Sequence, residues 1–357
     1  MYGMKYNIKK IFGRLKKGRS LILAGDIGAT KTNLGIFELD RGIFKSKKVS
    51  SFPSRDYQDL KSILKEFMKD NREDLDGACF GIAGPINKGI CKATNLAWVV
   101  DQSVLKRILK IRKVSLINDM QATANGIQVL PKKSFALLNP GKPESKGNIA
   151  VLAAGTGLGE GMLLWDGKSY HAEGSEGGHA DFAPCNRKEL DLCGYLFDKF
   201  GHSSYERVLS GPGLLNIYDF LKEKKGGQEP AWLTKELAQD DPGFVITETA
   251  RDKENKLCVK TMDLFCAIYG AEAGNLALKI LARGGVYLGG GIAPKILHKL
   301  QDGTFKKAFR NKGRFSKFLS KIPVHVILEE KTALYGAAMY ALQLTASKES
   351  LHIQIGK

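Results

Sequence analysis

No stretch of the chain approaches the roughly 20 apolar residues that a membrane-spanning helix needs. The longest apolar runs are short and bounded by glycine. The 6 cysteines contain no CxxC pair, so neither a zinc knuckle nor a dithiol redox motif is read. Cys79, Cys91, Cys185, Cys193, Cys258 and Cys266 read instead as reduced, mostly buried thiols of a reducing, cytoplasmic compartment. Low-complexity tracts are absent. Acid is scarce: 37 Asp and Glu stand against 55 Lys and Arg, a net charge of +18. Two segments with seven basic residues each have no acid at all. Residues 1–20 carry Lys5, Lys9, Lys10, Arg14, Lys16, Lys17 and Arg19, and residues 305–321 carry Lys306, Lys307, Arg310, Lys312, Arg314, Lys317 and Lys321. The remainder is close to neutral, which argues against a nucleic-acid groove through the body and predicts no nucleic-acid partner.

What is present is a globular balance, 43% hydrophobic and 26% charged over 357 residues, a length that suggests two domains. At the N-terminus Ile8, Ile11, Phe12 and Leu15 recur at helical spacing among the basic residues. Two readings stand: a basic amphipathic helix through residues 1–19 that rests on an anionic membrane surface, or a solvated extension before the first strand. No apolar core follows the basic residues, so a secretory signal is not read.

Strand, small-residue turn and strand follow one another at 21–38, with the turn around Ile27–Thr32. Residues 56–70 place Leu60, Ile63, Leu64, Phe67 and Met68 on one helical face. Ala78–Ala83 reads as a buried strand, 101–111 as an amphipathic helix and Val114–Asn118 as another strand, an alternation that indicates an α/β domain. After the polar loop Pro140–Gly147, the strand Asn148–Ala154 enters Gly155-Thr156-Gly157-Leu158-Gly159 and a further strand, Gly161–Trp165, returns. This repeats the design of 21–38 after about 127 residues. Two related halves, each presenting a glycine-rich hairpin, would enclose a cleft. Later come a long helix at Thr261–Arg283, a strand at 286–288 that runs into a triple glycine opening another helix, a strand at Val324–Leu328 and a closing helix at Thr332–Leu344.

Glycine-rich turns let backbone N–H groups approach phosphate. The turns here are GDIGATKT (25–32) and GTGLG (155–159); neither is a P-loop or a GxGxxG fingerprint. One in each half points to a shared polyphosphate site. Asp26, beside the first turn, reads either as a carboxylate holding Mg²⁺ through water or as a turn cap. Gly289, Gly290 and Gly291 either admit a nucleotide base or ribose, or pack a helix tightly on a strand. Asn118-Asp119 ends a strand, where ligands gather in open α/β sheets. Asp119 there can take the proton of an attacking hydroxyl and Asn118 can bond a second hydroxyl; the alternative is an Asn-Asp helix cap for 120–130. The segment 173–181 packs Glu173, Glu176, His179 and Asp181 among glycines without metal-ligand spacing, which suits a polyhydroxylated ligand. Glu206 is a further candidate or an ordinary surface glutamate.

LAGDIGATKT, CFGIAGPI, TNLAW, LINDMQATANGI, AAGTGLG, EGGHADFAP, SYERVLSGPGLLNIY, NLAL and YLGGGIAPKI occur in that order. Over about residues 20–345 the chain resembles the bacterial ATP-dependent glucokinases and, more widely, the hexokinase and actin-like superfamily. The resemblance implies an α/β fold of two related actin-like ATPase (ribonuclease H-like) domains flanking a cleft. Its parts would be a basic N-terminal extension at 1–20, a smaller domain at 21–129 plus 332–357, and a larger domain at 130–331. It implies transfer of the γ-phosphate of ATP to the 6-hydroxyl of D-glucose, feeding glycolysis in the cytoplasm, with Mg²⁺ as cofactor and a homodimer as the expected assembly.

By the same resemblance Asp119 is the catalytic base, and Asn95, Asn118, Glu176, His179 and Glu206 contact glucose. Gly28, Ala29, Thr30, Lys31, Gly155, Thr156 and Gly157 form the phosphate turns; Asp26 lies near the metal; Gly289, Gly290 and Gly291 form the adenosine segment. Ala29 and Lys31 depart from the family, which often has glycine and asparagine there. The zinc-binding cysteine motif of related repressor and sugar-kinase proteins is missing, so no zinc is expected. The rivals are a kinase for another hexose, a polyphosphate-using glucokinase and a sugar-sensing transcriptional regulator. The regulator would need a helix-turn-helix domain of about 60–80 residues; twenty basic residues are too few.

Overall fold

A computed structural model describes residues 5–7, 19–40, 43–71, 73–94, 96–225, 229–252 and 255–346. Its strands are β1 (Lys5–Asn7), β2 (Ser20–Ile27), β3 (Lys31–Asp40), β4 (Ile43–Pro53), β5 (Gly77–Ile82), β6 (Ile86–Asn87), β7 (Ile90–Lys92), β8 (Val99–Asp101), β9 (Val114–Asn118), β10 (Phe135–Asn139), β11 (Ile149–Ala154), β12 (Leu158–Trp165), β13 (Tyr170–Ser175), β14 (Gly285–Gly289) and β15 (Val324–Ile327). The chain packs into two compact units: residues up to 132 together with those from 331 onward, and residues 133–330.

The first unit is built on a sheet of order β1-β4-β3-β2-β5-β9. Strands β2, β3 and β4 form an antiparallel meander, and β5 and β9 extend it parallel to β2. The second unit has the order β10-β15-β14-β11-β12-β13. Here β11, β12 and β13 form the meander, β14 and β15 run parallel to β11, and β10 closes the edge antiparallel. Each unit therefore contains three antiparallel strands continued by two parallel ones. That is the repeat foreshadowed by the two glycine hairpins.

Strands β2 and β5 are apolar almost without interruption because both faces of the sheet are covered. One cover is the helix Leu60–Met68. Asp59 caps it by accepting the Ser62 N–H at 2.8 Å, and Leu60, Ile63, Leu64 and Phe67 are buried. Each of those side chains contributes about 1.5–3 kcal/mol on burial. The other cover is the helix Thr332–Ala346, which brings the chain back to the first unit and packs on β2, β5 and the helix Asp119–Ile127. At that crossing Gly336 lies against the backbone of Ala122 and Gly126 against Thr332, so closely that a Cβ at either position would overlap carbonyl oxygen.

In the second unit the long helix runs Lys256–Lys279, starting five residues ahead of the expected Thr261. Asn255 supplies the reason: its side chain accepts the N–H groups of Leu257 and Cys258. The helix stops short of Arg283 in a Schellman closure. Leu281 takes a left-handed φ of 50°, the Ala282 N–H reaches Ala277 O at 2.9 Å and the Leu281 N–H reaches Leu278 O. The helix expected after the triple glycine is one turn, Ile292–Lys295, followed by a second short piece, Leu297–Leu300. The basic segment 305–321 is partly absorbed by the fold: Phe305 and Phe309 are buried in the core, Arg310 bonds the Asn139 side chain, and Lys312 bonds that of Asn275.

At the N-terminus, Lys5–Asn7 pairs with Ile43–Lys45 as an edge strand. Ile8, Ile11, Phe12 and Leu15, which carry the amphipathic pattern, lie outside the described residues. Among the described residues no helix is long and apolar enough to cross a membrane. Cys79, Cys91, Cys258 and Cys266 are buried, Cys193 is half-buried and Cys185 is exposed; all six are free thiols.

Candidate active site

In the first unit β2, β5 and β9 are parallel, and their carboxyl ends bring together Asp26, Asn118 and Asp119. Asp26 pairs across to Gly81, Gly81 to Ile117, and Ile82 to Asn118. Asn118 ends β9 and caps the helix Asp119–Ile127. Its side chain accepts the Met120 N–H at 2.8 Å, while the Gln121 side chain accepts the Asn118 N–H at 3.1 Å, completing a capping box. The cap reading of Asn118 is thus realised in the structure. Asp119 opens the helix half-buried, and one carboxyl oxygen also accepts the Met120 N–H at 3.0 Å.

Asp26 lies opposite Asn33 in the β2–β3 pair, and Asn33 Nδ2 donates to its carboxyl at 3.1 Å. Burial pushes Asp26 up to about 6; the Asn33 hydrogen bond and Lys31 oppose the rise, and the charge of Asp119 adds to it. Two carboxyls at one strand edge, with Lys31 as the opposing cation, form a negative spot.

Strands β2 and β3 close around Gly28, Ala29, Thr30 and Lys31, with the Gly28 N–H donating to Lys31 O at 3.1 Å. Thr30 and Lys31 are exposed. Left-handed backbone among the described non-glycine residues falls at Lys88, Lys110, Lys146 and Leu281. Ala29 is not among them, so its methyl group meets no backbone penalty. Ser54, which no sequence pattern singled out, laces this turn. Its hydroxyl donates to Gly28 O at 2.7 Å and pairs with Thr32 Oγ1 at 2.9 Å, and its N–H donates to Thr30 O at 3.0 Å. Asn95 lies outside the described residues.

In the second unit the parallel pair β11 and β14 ends at one edge, and each strand runs into a glycine turn: Gly155-Thr156-Gly157 and Gly290-Gly291 after Gly289. Gly290 has φ +78° and backs onto Ala154 so tightly that any Cβ would overlap its carbonyl. Packing therefore explains Gly290. Gly291 has open space where a Cβ would stand, and Thr156 is exposed.

The segment 176–182 runs beside 203–206 as a short ladder: Phe182 N–H to Ser203 O at 2.8 Å, Tyr205 N–H to Ala180 O at 3.0 Å and Glu206 N–H to Gly178 O at 2.8 Å. Glu176 and His179 are exposed on this loop. The half-buried Glu206 is no ordinary surface glutamate. Its carboxyl accepts the Leu158 N–H at 3.0 Å, and the Gly211 N–H reaches Gly155 O at 2.8 Å. The structure thus brings Glu176, His179 and Glu206 into one loop cluster tied to the Gly155–Gly157 turn. Among the described residues no group of three or more His, Cys, Asp or Glu is arranged to hold a metal ion.

The sequence profile of the glucokinase family matches residues 23–344. The glucokinase of Nostoc punctiforme is 44% identical over 340 residues, spanning 91% of this chain and 100% of that protein. The crystal structure of a glucokinase from an Antarctic psychrotroph is similar with a TM-score of 0.80 at 29% identity, over 91% of this chain and 99% of the other. That of Balamuthia mandrillaris glucokinase in complex with glucose reaches 0.75 at 22% identity, over 93% and 96%, a likeness of fold. With two units of actin-like topology, a carboxyl at the first sheet's edge, glycine turns at the second's, and a profile match over nearly the whole described length, the chain belongs to the glucokinase family.

Proposed function

We propose that the chain transfers the γ-phosphate of ATP to the 6-hydroxyl of D-glucose, giving glucose 6-phosphate and ADP. The observation that carries the proposal is the place of Asp119: half-buried, just past the carboxyl end of a parallel strand, and at the first position of a capped helix rather than sealed in the core. In this reading Asp119 accepts the hydroxyl proton as the oxygen attacks phosphorus. Phosphoryl transfer passes through a loose, metaphosphate-like transition state, so the oxygen needs a late proton acceptor in line more than a strong base. Glu176, His179, Glu206 and Asn118 orient the sugar, with Asn95 as a further contact. The turns Gly28–Lys31 and Gly155–Gly157 direct N–H groups at phosphate oxygens, and Gly289–Gly291 take the adenosine.

The negative spot at Asp26 fits a hydrated Mg²⁺, which keeps most of its water and needs only one or two carboxylates from protein. Asp26 would hold it through water, and Asn33 would orient Asp26. When bound, the ion neutralises charge on the phosphate oxygens.

The test is turnover of the purified chain with a panel of hexoses crossed with ATP and polyphosphate, read by coupled ADP or sugar-phosphate detection. Glucose with ATP should be fastest; a faster hexose or polyphosphate would redirect the assignment. In the same assay Asp119→Asn should lose about 10²–10⁴-fold in kcat with glucose affinity little changed. Near-normal turnover would remove Asp119 from its role.

A further inference from the structure

Beneath the loop that carries Glu176 and His179 lies a pair of carboxyls with no part in the reaction above. Glu160 stands in β12 opposite Ser175 and is 2% exposed; Glu272, in the helix Lys256–Lys279, is 0% exposed. Oε1 of Glu160 meets no hydrogen-bond donor. The neighbouring acid is Glu272, whose charge and hydrogen bonding both favour a proton on Glu160. Two buried carboxylates in contact repel strongly, and one of them takes up a proton instead. A single proton between them turns the contact into a short, charge-assisted O–H···O⁻ bond.

The surroundings favour that state. Burial, reinforced by the Glu272 charge and opposed by Lys279, pushes Glu160 up to about 7. Glu272 accepts from Asn275 Nδ2 at 2.7 Å and has Lys279 Nζ at 3.4 Å. The Tyr205 hydroxyl also meets Glu272 and accepts from Asn275 Nδ2 at 2.8 Å. Lys312, Cys185 and Glu189 are the other titratable groups around the pair. One partly exposed lysine and one distributed among several acids do not neutralise two adjacent carboxylates.

The pair touches the sugar segment from two sides. Gly177 rests on the Glu160 carboxyl so closely that a Cβ there would overlap its Oε2. The Gly177 N–H is held by Ser175 Oγ at 3.2 Å, one residue from Glu176. On the other side Tyr205 binds Ala180 O through its N–H and precedes Glu206. When the shared proton leaves, the pair carries a second negative charge and needs more room or water, and the space nearest Glu160 belongs to Gly177.

We propose that Glu160 and Glu272 are positioning residues that share one proton and, while they share it, hold Glu176, His179 and Glu206 in the arrangement that takes glucose. This rests on the reading of those three residues as the sugar contacts. Loss of the proton as pH rises spreads the loop and weakens glucose binding, while the step at Asp119 is untouched. By reciprocity of linked equilibria, glucose binding in turn raises the pair's hold on its proton.

The test measures KM and Kd for glucose, with kcat, from pH 6 to 8.5 for the full chain, Glu160→Gln, Glu272→Gln and Glu176→Gln. Glutamine keeps an N–H donor in the contact and cannot ionise. In the wild-type chain the KM for glucose should rise about threefold or more across this range, a fraction of one pKa unit of coupling. Glu160→Gln, or equally Glu272→Gln, should hold the low-pH value throughout. A flat wild-type profile, or variants that follow its rise, overturns the proposal. If neither variant folds, calorimetry of glucose binding to the wild type near pH 7.5 in buffers of different ionisation enthalpy decides: proton uptake supports the shared proton and zero uptake overturns it. Glu176→Gln should weaken glucose binding at every pH and keep the wild-type slope. Unchanged affinity in that variant sinks the sugar-contact reading itself, a failure distinct from that of the carboxyl pair.

Discussion

Ser54 shows how much one hydroxyl can organise. It is fully buried, and its side chain and N–H reach Gly28, Thr30 and Thr32 around the first glycine turn. Ser54→Ala leaves the Gly28 carbonyl and the Thr32 hydroxyl without that partner. The expected cost is about 1–3 kcal/mol in urea unfolding, together with a raised KM for ATP; an unchanged KM for ATP would mean that the turn does not depend on this bond. Nothing in the sequence singled out Ser54, because a lone serine after a proline has no spacing to read. Asp119 and Asn118 were different. They end an apolar strand, and strand ends border the ligand crevice in any parallel α/β sheet. Of the two readings of Asn118-Asp119, the structure realises the cap.

Elements set by local pattern came out near their expected places: β9 at Val114–Asn118, the β2–β3 hairpin, the helix Leu60–Met68 and the closing helix at Thr332. Strand β4 had no such clarity. Its lysines and serines hide the period-two pattern, as befits a strand that pairs with β3 on its inner side and is covered on its outer side only by the three residues of β1. The packing of the closing helix was equally unreadable, because it depends on which surface it meets. Gly336 on the Ala122 backbone and Gly126 on Thr332 allow that helix to settle on the one that begins at Asp119. Gly336→Ala forces the two apart, with an expected loss of about 1–3 kcal/mol and reduced kcat. Thermal unfolding and the coupled assay check both, and an unshifted melting temperature would show that the crossing has slack.

For the whole molecule, the buried carboxyl pair ties stability to pH. Burial, with the neighbouring Glu272 charge, pushes Glu160 from an ordinary 4.5 up to about 7 in the folded protein. Between those values the folded state holds a proton that the unfolded chain has released. Its stabilisation is therefore complete below about pH 4.5, declines as pH rises towards about 7 and is flat beyond. Glu160→Gln should remove that part of the slope in thermal unfolding curves recorded from pH 5 to 8; an unaltered slope would place the proton elsewhere. The charge of +18 is likewise handled at this scale, since Arg310 and Lys312 of one basic segment turn inward to Asn139 and Asn275.

The sequence alone determined the two glycine hairpins, the repeat they announce and the strand end that carries Asp119. Each is a local fact of apolar period, small residues and polarity, and neighbours a few positions apart suffice to write it. Only the tertiary structure decided that Ser54 laces the first turn, that Glu206 ties the loop of Glu176 and His179 to the second, and that Glu160 and Glu272 meet in the core. Those contacts join residues 22 to 112 positions apart. Their energy comes from burial and from the removal of water, which no short stretch of chain can specify by itself.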